Sequence, residues 1–316
     1  MKKILLVVPV HNRLNELREL LASLCSLDIG GLELLVTIVD DASKDPIPET
    51  LNDNFPGLKL QFIRLNENIG PASARNLALK DAVADYYWFL DSDSEIDDPN
   101  VLKHMVSVLE SYADVGAVGG VVELVDEKWM VFESVSFFNT MALPQYLKRD
   151  DYQETFVSNI PTANMLISME IFSLTGSFDE QLVRDEDHDL CMALRKDGYK
   201  IFQSQETMVR HKLSHAGRDS GAFAHFQDRK KFLSDLLKTK SILIYKHNKW
   251  KLFVLPFLDV LTLFQLCIAS KKYNIKVLRF NLINKKKKIS DYLVTVLLIS
   301  GHYIYGLMLL LRLIKR

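Results

Sequence analysis

Short apolar segments alternate with amphipathic segments over residues 1–126, and this alternation restricts the possible folds more strongly than any other feature of the sequence. Five apolar runs have the length of buried strands, at 4–10, 34–39, 58–65, 86–90 and 117–125. The amphipathic stretches between them are predicted to be helices, at 14–27, 72–84 and 99–112. Alternating buried strands and helices predict an α/β fold with a mostly parallel, Rossmann-like sheet covered by helices.

A second section of the same kind follows a stretch without clear periodicity. Apolar strands are predicted at 161–168 and 199–204, on either side of a helix near 186–197. We therefore expect one α/β domain over residues 1–225.

The character of the chain changes from about residue 226. Two long apolar segments, 252–270 and 292–311, flank a linker rich in lysine. The second segment has twenty residues without Asp, Glu, Lys or Arg, which is long enough to span a bilayer core of about 30 Å. We predict that 226–316 is a helical region with membrane-associated or transmembrane segments. The alternative is that both apolar segments are soluble packing helices or a dimer interface.

The composition excludes few functions, but it bears on the partners of the protein and on the cellular compartment. Lys and Arg number 39 and Asp and Glu number 40, so the charge balance gives no reason to expect a nucleic-acid partner. The three cysteines, Cys25, Cys191 and Cys267, are far apart and lack metal-ligand spacing, which fits a reducing compartment. The N-terminal apolar run is short and has no small-residue cleavage site, so we interpret it as a strand rather than a signal peptide.

Acidic residues directly follow the strand at 86–90, in the stretch "YYWFLDSDSEIDD". Asp91 and Asp93 are two residues apart and can point the same way. Two carboxylates that converge at a strand end suit a hard divalent cation such as Mg²⁺ or Mn²⁺. The alternative is that these acids only begin a helix, which explains Asp98 before Pro99 as a helix cap but not the earlier pair.

Other predicted strands also end in polar residues. Asp40 and Asp41 follow the second strand, where either side chain can accept a hydrogen bond from a nucleobase or a ribose, or simply form a turn. Pro9 and His11 lie at the end of the first strand, and Arg75 lies one turn inside the helix after the third. In a parallel sheet these positions share one edge, where ligands bind.

Two further groups of candidate site residues, one acidic and one of histidines, lie later in the chain. The helix that begins in "RDEDHDL" carries Glu186, Asp187 and Asp189 in its first turn, where acids favour the helix dipole or one acts as a general base. His211 and His215 lie close together in "VRHKLSHAGR", either as ordinary structural side chains or as a further ligand of a two-Asp metal site.

Taken in order, these motifs resemble those of family 2 glycosyltransferases with the GT-A fold. The matching pieces are "VVPVHN", "VDDASKD", "NIGPASARN", the "DSD" of a DxD motif, "GSFDE", "EDHDL" and a histidine beyond the next strand. The resemblance covers roughly residues 3–218, and seven motifs in one order form a strong signal although each alone is weak.

The resemblance implies roles for individual residues. Asp187 would be the catalytic base that deprotonates the acceptor hydroxyl. Asp93, Asp91 and His211 would bind the divalent cation, with Asp91 also contacting the ribose. The other donor-binding residues would be Pro9, His11, Asp41 and Arg75.

The implied reaction is transfer of a sugar from a nucleotide-diphosphate donor to a hydroxyl, with inversion, because one base is present and no second carboxylate nucleophile. The acceptor would be a glycan or lipid-linked glycan in cell-surface polysaccharide biosynthesis. Basic residues surround both apolar tail segments, so we expect the enzyme at the cytoplasmic face of the cell membrane, in contact with anionic headgroups.

Three other functions share part of this pattern. A phosphohydrolase of the haloacid-dehalogenase type uses DxDx[TV], but the fifth position here is Glu95 and the motif does not follow the first strand. A sugar-phosphate nucleotidyltransferase would need a glycine-rich loop where this chain has "VPVHNRLNE". A non-catalytic nucleotide-sugar-binding protein would not require both the "DSD" and the "ED" acids.

Overall fold

The structure is a computed structural model that describes residues 1–124, 129–134, 142–147, 155–182 and 184–212, with isolated positions between 239 and 247. Contacts within the chain define two units. The first comprises Met1–Glu133, Pro144–Gln181 and Glu186–Gly221, and it holds nearly all of the sheet. The elements below, and every residue of the candidate site, are discussed within this unit.

The described residues include eleven strands of one sheet. They are β1 Lys2–Val10, β2 Leu32–Asp40, β3 Lys59–Arg64, β4 Tyr86–Leu90, β5 Ser94–Glu95, β6 Val115–Leu124, β7 Trp129–Ser134, β8 Ala142–Leu147, β9 Thr155–Val157, β10 Asn164–Ser168 and β11 Lys200–His211. The main path through the sheet is β3-β2-β1-β4-β10-β6-β11-β5, with β7 beside β6, β8 beside β7 and β9 beside β11.

Six helices connect these strands in the described part of the chain. They are α1 Leu14–Leu24, α2 Leu51–Asn54, α3 Gly70–Leu79, α4 Val101–Ser111, α5 Met169–Thr175 and α6 Glu186–Lys196. The predicted helix at 99–112 begins later than expected. Asp98 accepts the N–H of Asn100 through Oδ1 at 2.8 Å, in a turn that precedes α4, rather than capping a helix that starts at Pro99.

The sheet is mixed rather than mostly parallel. Strands β3, β2, β1 and β4 run parallel as predicted, but β10 is antiparallel to both β4 and β6. A strand that is buried on both faces has the same apolar composition in either direction. The apolar pattern of 161–168 therefore predicted a strand correctly but contained no information about its direction.

Hydrophobic clusters cover both faces of the sheet, which explains why β1 is apolar along most of its length. Its alternate residues point to opposite sides. Leu6 and Val8 pack with α1 and α4 in one cluster, whereas Leu5 and Val7 pack with α3, α5 and α6 in the other. All four are buried, so β1 holds the two halves of the core together.

A register shift interrupts the pairing of β11 with β6 between Ser204 and Val209. The buried amide of Asn164 stabilises this irregularity. Its Oδ1 accepts the indole N–H of Trp88 at 2.8 Å, and its Nδ2 donates to the carbonyl oxygen of Thr207 at 2.5 Å. Beyond the shift, Arg210 and His211 at the end of β11 pair with β5.

Among the helices in the described part of the chain, none is both long and apolar enough to cross a bilayer. The segments predicted to associate with the membrane, 252–270 and 292–311, lie outside the described residues, as does the predicted domain boundary near 225.

Replacing Gly120 by alanine tests the packing of this irregular pairing. A Cβ at position 120 would lie 1.6 Å from the carbonyl oxygen of Thr207, which is backbone and cannot rotate away. We expect Gly120→Ala to lower the free energy of unfolding by about 3 kcal/mol or more, at the upper end of overpacking costs, in urea denaturation.

Gly57→Ala is the matched control, because a Cβ there meets nothing within 4 Å. Equal stability of the Gly120→Ala variant and the unmodified protein would contradict the packing described here.

Candidate active site

The carboxyl ends of the parallel strands form one edge of the sheet, as the sequence predicted. Val10 at the end of β1 pairs with Asp40 at the end of β2, and Asp40 pairs with Arg64 at the end of β3. Strand β4 lies on the other side of β1 and runs in the same direction. The loops after these strands therefore meet at one place, where the predicted site residues lie.

Asp91, Asp93 and His211 come together at this edge. One potential ligand atom from each residue lies within 4.8 Å of the others. The Nε2 of His211 is 3.2 Å from Asp91 Oδ2 and 3.4 Å from Asp93 Oδ1. Two carboxylates and an imidazole are a donor set that Mn²⁺ accepts. These residues therefore fit a divalent cation, as the sequence predicted.

The short strand β5 brings the histidine to the acids. His211 pairs with Ser94 and Arg210 pairs with Glu95 in an antiparallel ladder. The next amide, that of Lys212, donates to the carbonyl oxygen of Asp93 at 3.0 Å. The DxD segment is thus hydrogen-bonded to the end of β11, although about 120 residues separate them in the chain. His215, the second histidine of that motif, lies outside the described residues.

Arg75 connects the acid pair to the start of α6. Its Nη2 donates to Asp91 Oδ1 at 3.0 Å, and its Nη1 donates to Glu186 Oε1 at 2.7 Å. The side chain is 2% exposed, and its Cζ lies 5.7 Å from the ring centroid of Phe178. A buried guanidinium requires such partners, because an unpaired buried charge is costly.

Positive groups around Asp91 determine its charge. Burial alone would raise the pKa of Asp91. The hydrogen bond with His211, the positive charge of Arg75 and the more distant Arg13 outweigh burial and hold the pKa of Asp91 well below its usual range. The carboxylate is therefore ionised at neutral pH, as a metal ligand must be.

Asp93 has a cationic neighbour that the sequence did not suggest. The Nη1 of Arg13 donates to Asp93 Oδ1 at 2.9 Å. Arg13 stands directly before α1, and its side chain is 14% exposed, whereas the side chain of Asp93 is fully buried.

The three acids at the start of α6 occupy different environments. Glu186 is buried and pairs with Arg75, and Asp189 is also buried. Asp187 is partly exposed, and its carboxylate accepts the amides of His188 at 2.7 Å and Thr162 at 3.4 Å. A general base must reach an acceptor hydroxyl, and of these three acids Asp187 is the accessible one.

The two acids at the end of β2 also differ. Asp40 accepts the amides of Ser43 at 2.9 Å and Ile47 at 3.0 Å, and it pairs with the guanidinium of Arg64. Burial would raise the pKa of Asp40, but the hydrogen bonds from Ser43, Ile47 and Arg64 lower it overall. Asp40 therefore shapes the loop after β2.

Asp41 is held against the start of α3. Its carboxylate accepts the amides of Ile69 at 2.8 Å and Gly70 at 3.0 Å. Nδ1 of His11 lies 2.6 Å from the carbonyl oxygen of Asp41, which can only accept, so that nitrogen carries the proton. Pro9 is partly buried in β1 opposite Val39. The predicted base-binding residues thus lie side by side, and their role in binding stays a prediction.

Sequence reasoning overlooked Arg13 and Glu186 as members of this cluster. Arg13 directly follows "VPVHN", so its position near the strand end was visible in the sequence. Its contact with Asp93, however, spans 80 residues and could not be seen in the sequence. The sequence predicts Glu186 only as an alternative base, because its pairing with Arg75 depends on a contact across 111 residues.

The mixed α/β sheet of this chain, with its Asp-Asp-His cluster at the parallel strand ends, has the GT-A fold of solved glycosyltransferases. The chain belongs to glycosyl transferase family 2, because a sequence profile described as "Glycosyl transferase family 2" matches residues 5–174, more than half of the chain.

Solved glycosyltransferases share this fold. The structure of Staphylococcus aureus TarS 1–349 in complex with UDP-GlcNAc aligns with a TM-score of 0.64 and 18% identity, covering 96% of this chain and 81% of TarS 1–349. The mannosyltransferase PcManGT of Pyrobaculum calidifontis, solved with GDP-Man and Mn²⁺, aligns with a TM-score of 0.55 and 16% identity, covering 97% of this chain and 86% of PcManGT.

Among curated proteins, the pre-mycofactocin glycosyltransferase of Mycobacterium tuberculosis is 29% identical over 215 residues, which is 66% of this chain and 43% of that protein. The chain thus spans less than half the length of this relative. TarS, a poly(ribitol-phosphate) beta-N-acetylglucosaminyltransferase, is 33% identical over 116 residues, which is 36% of this chain and 20% of TarS.

Proposed function

We propose that this protein is an inverting glycosyltransferase that moves a sugar from a nucleotide-diphosphate donor to a hydroxyl of a glycan or lipid-linked glycan. One observation carries the proposal. Buried Arg75 connects the Asp91, Asp93 and His211 cluster, which suits a metal and diphosphate, to the helix that carries Asp187. Membership of family 2 supports the same class of reaction.

The donor side of the site is built from the strand ends. Asp91, Asp93 and His211 would hold a divalent cation, Mg²⁺ or Mn²⁺, which when bound supplies positive charge to the leaving diphosphate. Each oxygen of the Asp41 carboxylate already accepts one backbone N–H and has a second lone pair for a donor group of the nucleobase. His11 lies beside Asp41 and would help to position the base.

Asp187 would act on the acceptor side. An alcohol is a weak nucleophile until a positioned carboxylate takes its proton. Asp187 has the exposure that this step requires, while Glu186 is neutralised by Arg75 and Asp189 is buried. With one accessible carboxylate at this helix start, a single displacement with inversion fits the site better than a two-step reaction through a covalent intermediate.

The relatives indicate which substrates to try first. TarS was solved with UDP-GlcNAc and PcManGT with GDP-Man, so UDP- and GDP-sugars are the first donors for a screen. TarS acts on poly(ribitol-phosphate), which supports a surface polymer or its lipid-linked precursor as the acceptor class for this chain.

We expect activity to require a divalent cation and Asp93→Ala to abolish it. The side chain of Asp93 is fully buried between His211 and Arg13, so alanine removes a ligand that nearby groups cannot replace. Nucleotide release from the best donor measures activity, with and without excess EDTA. Asp97→Ala is the control, because Asp97 is exposed and pairs with Arg210. Full turnover in excess chelator would contradict the metal role.

We expect Asp187→Asn to reduce transfer by about two to four orders of magnitude, the usual contribution of a general base. Asparagine keeps the acceptor oxygen for the amide of His188 but cannot take a proton. Nucleotide-sugar affinity, measured by calorimetry, should stay within about twofold, because the change lies on the acceptor side. Transfer at a near-normal rate would place the base elsewhere.

We also propose that the protein works at the cytoplasmic face of the cell membrane. The apolar segments 252–270 and 292–311 and the lysines at 285–288 support this placement. Full-length protein should sediment with vesicles that contain anionic lipid. Replacing Lys285, Lys286, Lys287 and Lys288 with glutamine should weaken binding to anionic vesicles more than binding to neutral ones. Full-length protein that stays in solution without detergent or lipid would contradict the proposal.

A further inference from the structure

Two arginines face the acid pair, and they are held differently. Arg75 is 2% exposed, pairs with both Asp91 and Glu186, and packs against the ring of Phe178. Arg13 reaches Asp93 from the loop before α1, and its side chain is 14% exposed. Moving Arg75 would leave a second buried carboxylate without its counter-charge. Arg13 is the more exposed of the two guanidinium groups, and the carboxylate that it would leave is one that a cation would neutralise.

Arg13 and a divalent cation would share the same carboxylate. Asp93 Oδ1 is 2.9 Å from Arg13 Nη1 and 3.4 Å from His211 Nε2. Asp93 is one of the three residues whose ligand atoms together fit a cation. The hydrogen bond between the charged groups of Arg13 and Asp93 is stronger than one between neutral groups. The positive charge of Arg13 would also repel a cation bound nearby. Cation binding at Asp93 therefore competes with Arg13.

A donor diphosphate would change this competition. The diphosphate of a nucleotide sugar would bind beside the carboxylates that would hold the cation, and its negative charge would attract the guanidinium. Arginine binds phosphate well because its planar N–H donors match the phosphate oxygens. An Arg13 displaced from Asp93 would thus find a new anionic partner without leaving the site.

We propose that Arg13 is an exchangeable counter-ion of the metal site, which neutralises Asp93 before the cation binds and transfers to the donor diphosphate once the cation occupies that carboxylate. This inference rests on the proposed function. It makes cation and nucleotide binding mutually reinforcing, because each favours the state in which Arg13 has left Asp93. By linkage the two ligands must strengthen each other by the same factor.

Binding measurements on the full-length protein test this exchange. Isothermal titration calorimetry measures the affinity for Mn²⁺ in the absence of nucleotide and with saturating UDP or GDP, whichever binds more tightly. It also measures the affinity for that nucleotide with and without Mn²⁺. For Arg13→Gln we expect Mn²⁺, without nucleotide, to bind roughly tenfold more tightly than to the unmodified protein. In the presence of Mn²⁺, we expect the nucleotide to bind roughly tenfold more weakly. The cooperativity between the two ligands should fall, and the size of these changes follows from the strength of charged hydrogen bonds.

Three variants make the result specific. Arg13→Lys keeps the positive charge, so its Mn²⁺ affinity should stay near that of the unmodified protein. Its nucleotide affinity should fall less than that of Arg13→Gln, because lysine keeps the charge but lacks the planar N–H donors. Arg18→Gln makes the same charge change at an exposed position of α1 and should alter neither. Arg13→Met replaces Arg13→Gln if the latter does not fold, as judged by circular dichroism, and the same shifts are expected from it.

The possible failures can be distinguished. Equal Mn²⁺ affinity in Arg13→Gln and the unmodified protein would overturn the competition, while the proposed function would stand. Tighter Mn²⁺ binding with unchanged nucleotide affinity would overturn the transfer of Arg13 to the diphosphate. If none of the proteins bound Mn²⁺, with nucleotide present or absent, the inference and the metal role in the proposed function would both be wrong.

Discussion

The pairing of one buried arginine with two acids is the interaction on which the rest of the site depends. Arg75 bonds Asp91 at 3.0 Å and Glu186 at 2.7 Å from within α3, so it joins the end of β4 to the start of α6. Without it, buried Glu186 and partly exposed Asp91 would both lose a counter-charge, and breaking a buried pair such as that with Glu186 typically costs about 3–5 kcal/mol. The same contact fixes the orientation of the helix that carries Asp187.

The two halves of the sheet contribute different parts of the site. The parallel strands β1 to β4 bring the loops with His11, Asp41 and Asp91 to one edge. Strand β11 reaches this edge through the irregular pairing beside Gly120 and delivers His211. Close contact between backbones at Gly120 leaves no room for a side chain, so a packing constraint of the core sets the position of a candidate metal ligand.

The acids of the site show how environment separates chemically similar groups. The carboxylate oxygens of Asp40 accept hydrogen bonds from the loop after β2, and the charge of Glu186 is neutralised by Arg75. Asp93 is buried beside Arg13 and His211, whereas Asp187 keeps partial exposure. Residue type alone does not distinguish these roles, because each depends on which donors the fold places within hydrogen-bonding distance.

The sequence by itself determined the parallel strands β1 to β4 and the edge of the sheet where they end, but not the strands β5, β7, β8 and β9. Apolar runs and amphipathic periods depend on local spacing, so the strands at 4–10 and 86–90 and the helix near 186–197 were predicted within a few residues. The tertiary structure decided the direction of β10, the burial of Arg75 and the approach of Arg13 to Asp93. Those features depend on tertiary contacts, such as Arg13 with Asp93 across 80 residues and Arg75 with Glu186 across 111, and local patterns carry no information about which distant residues meet.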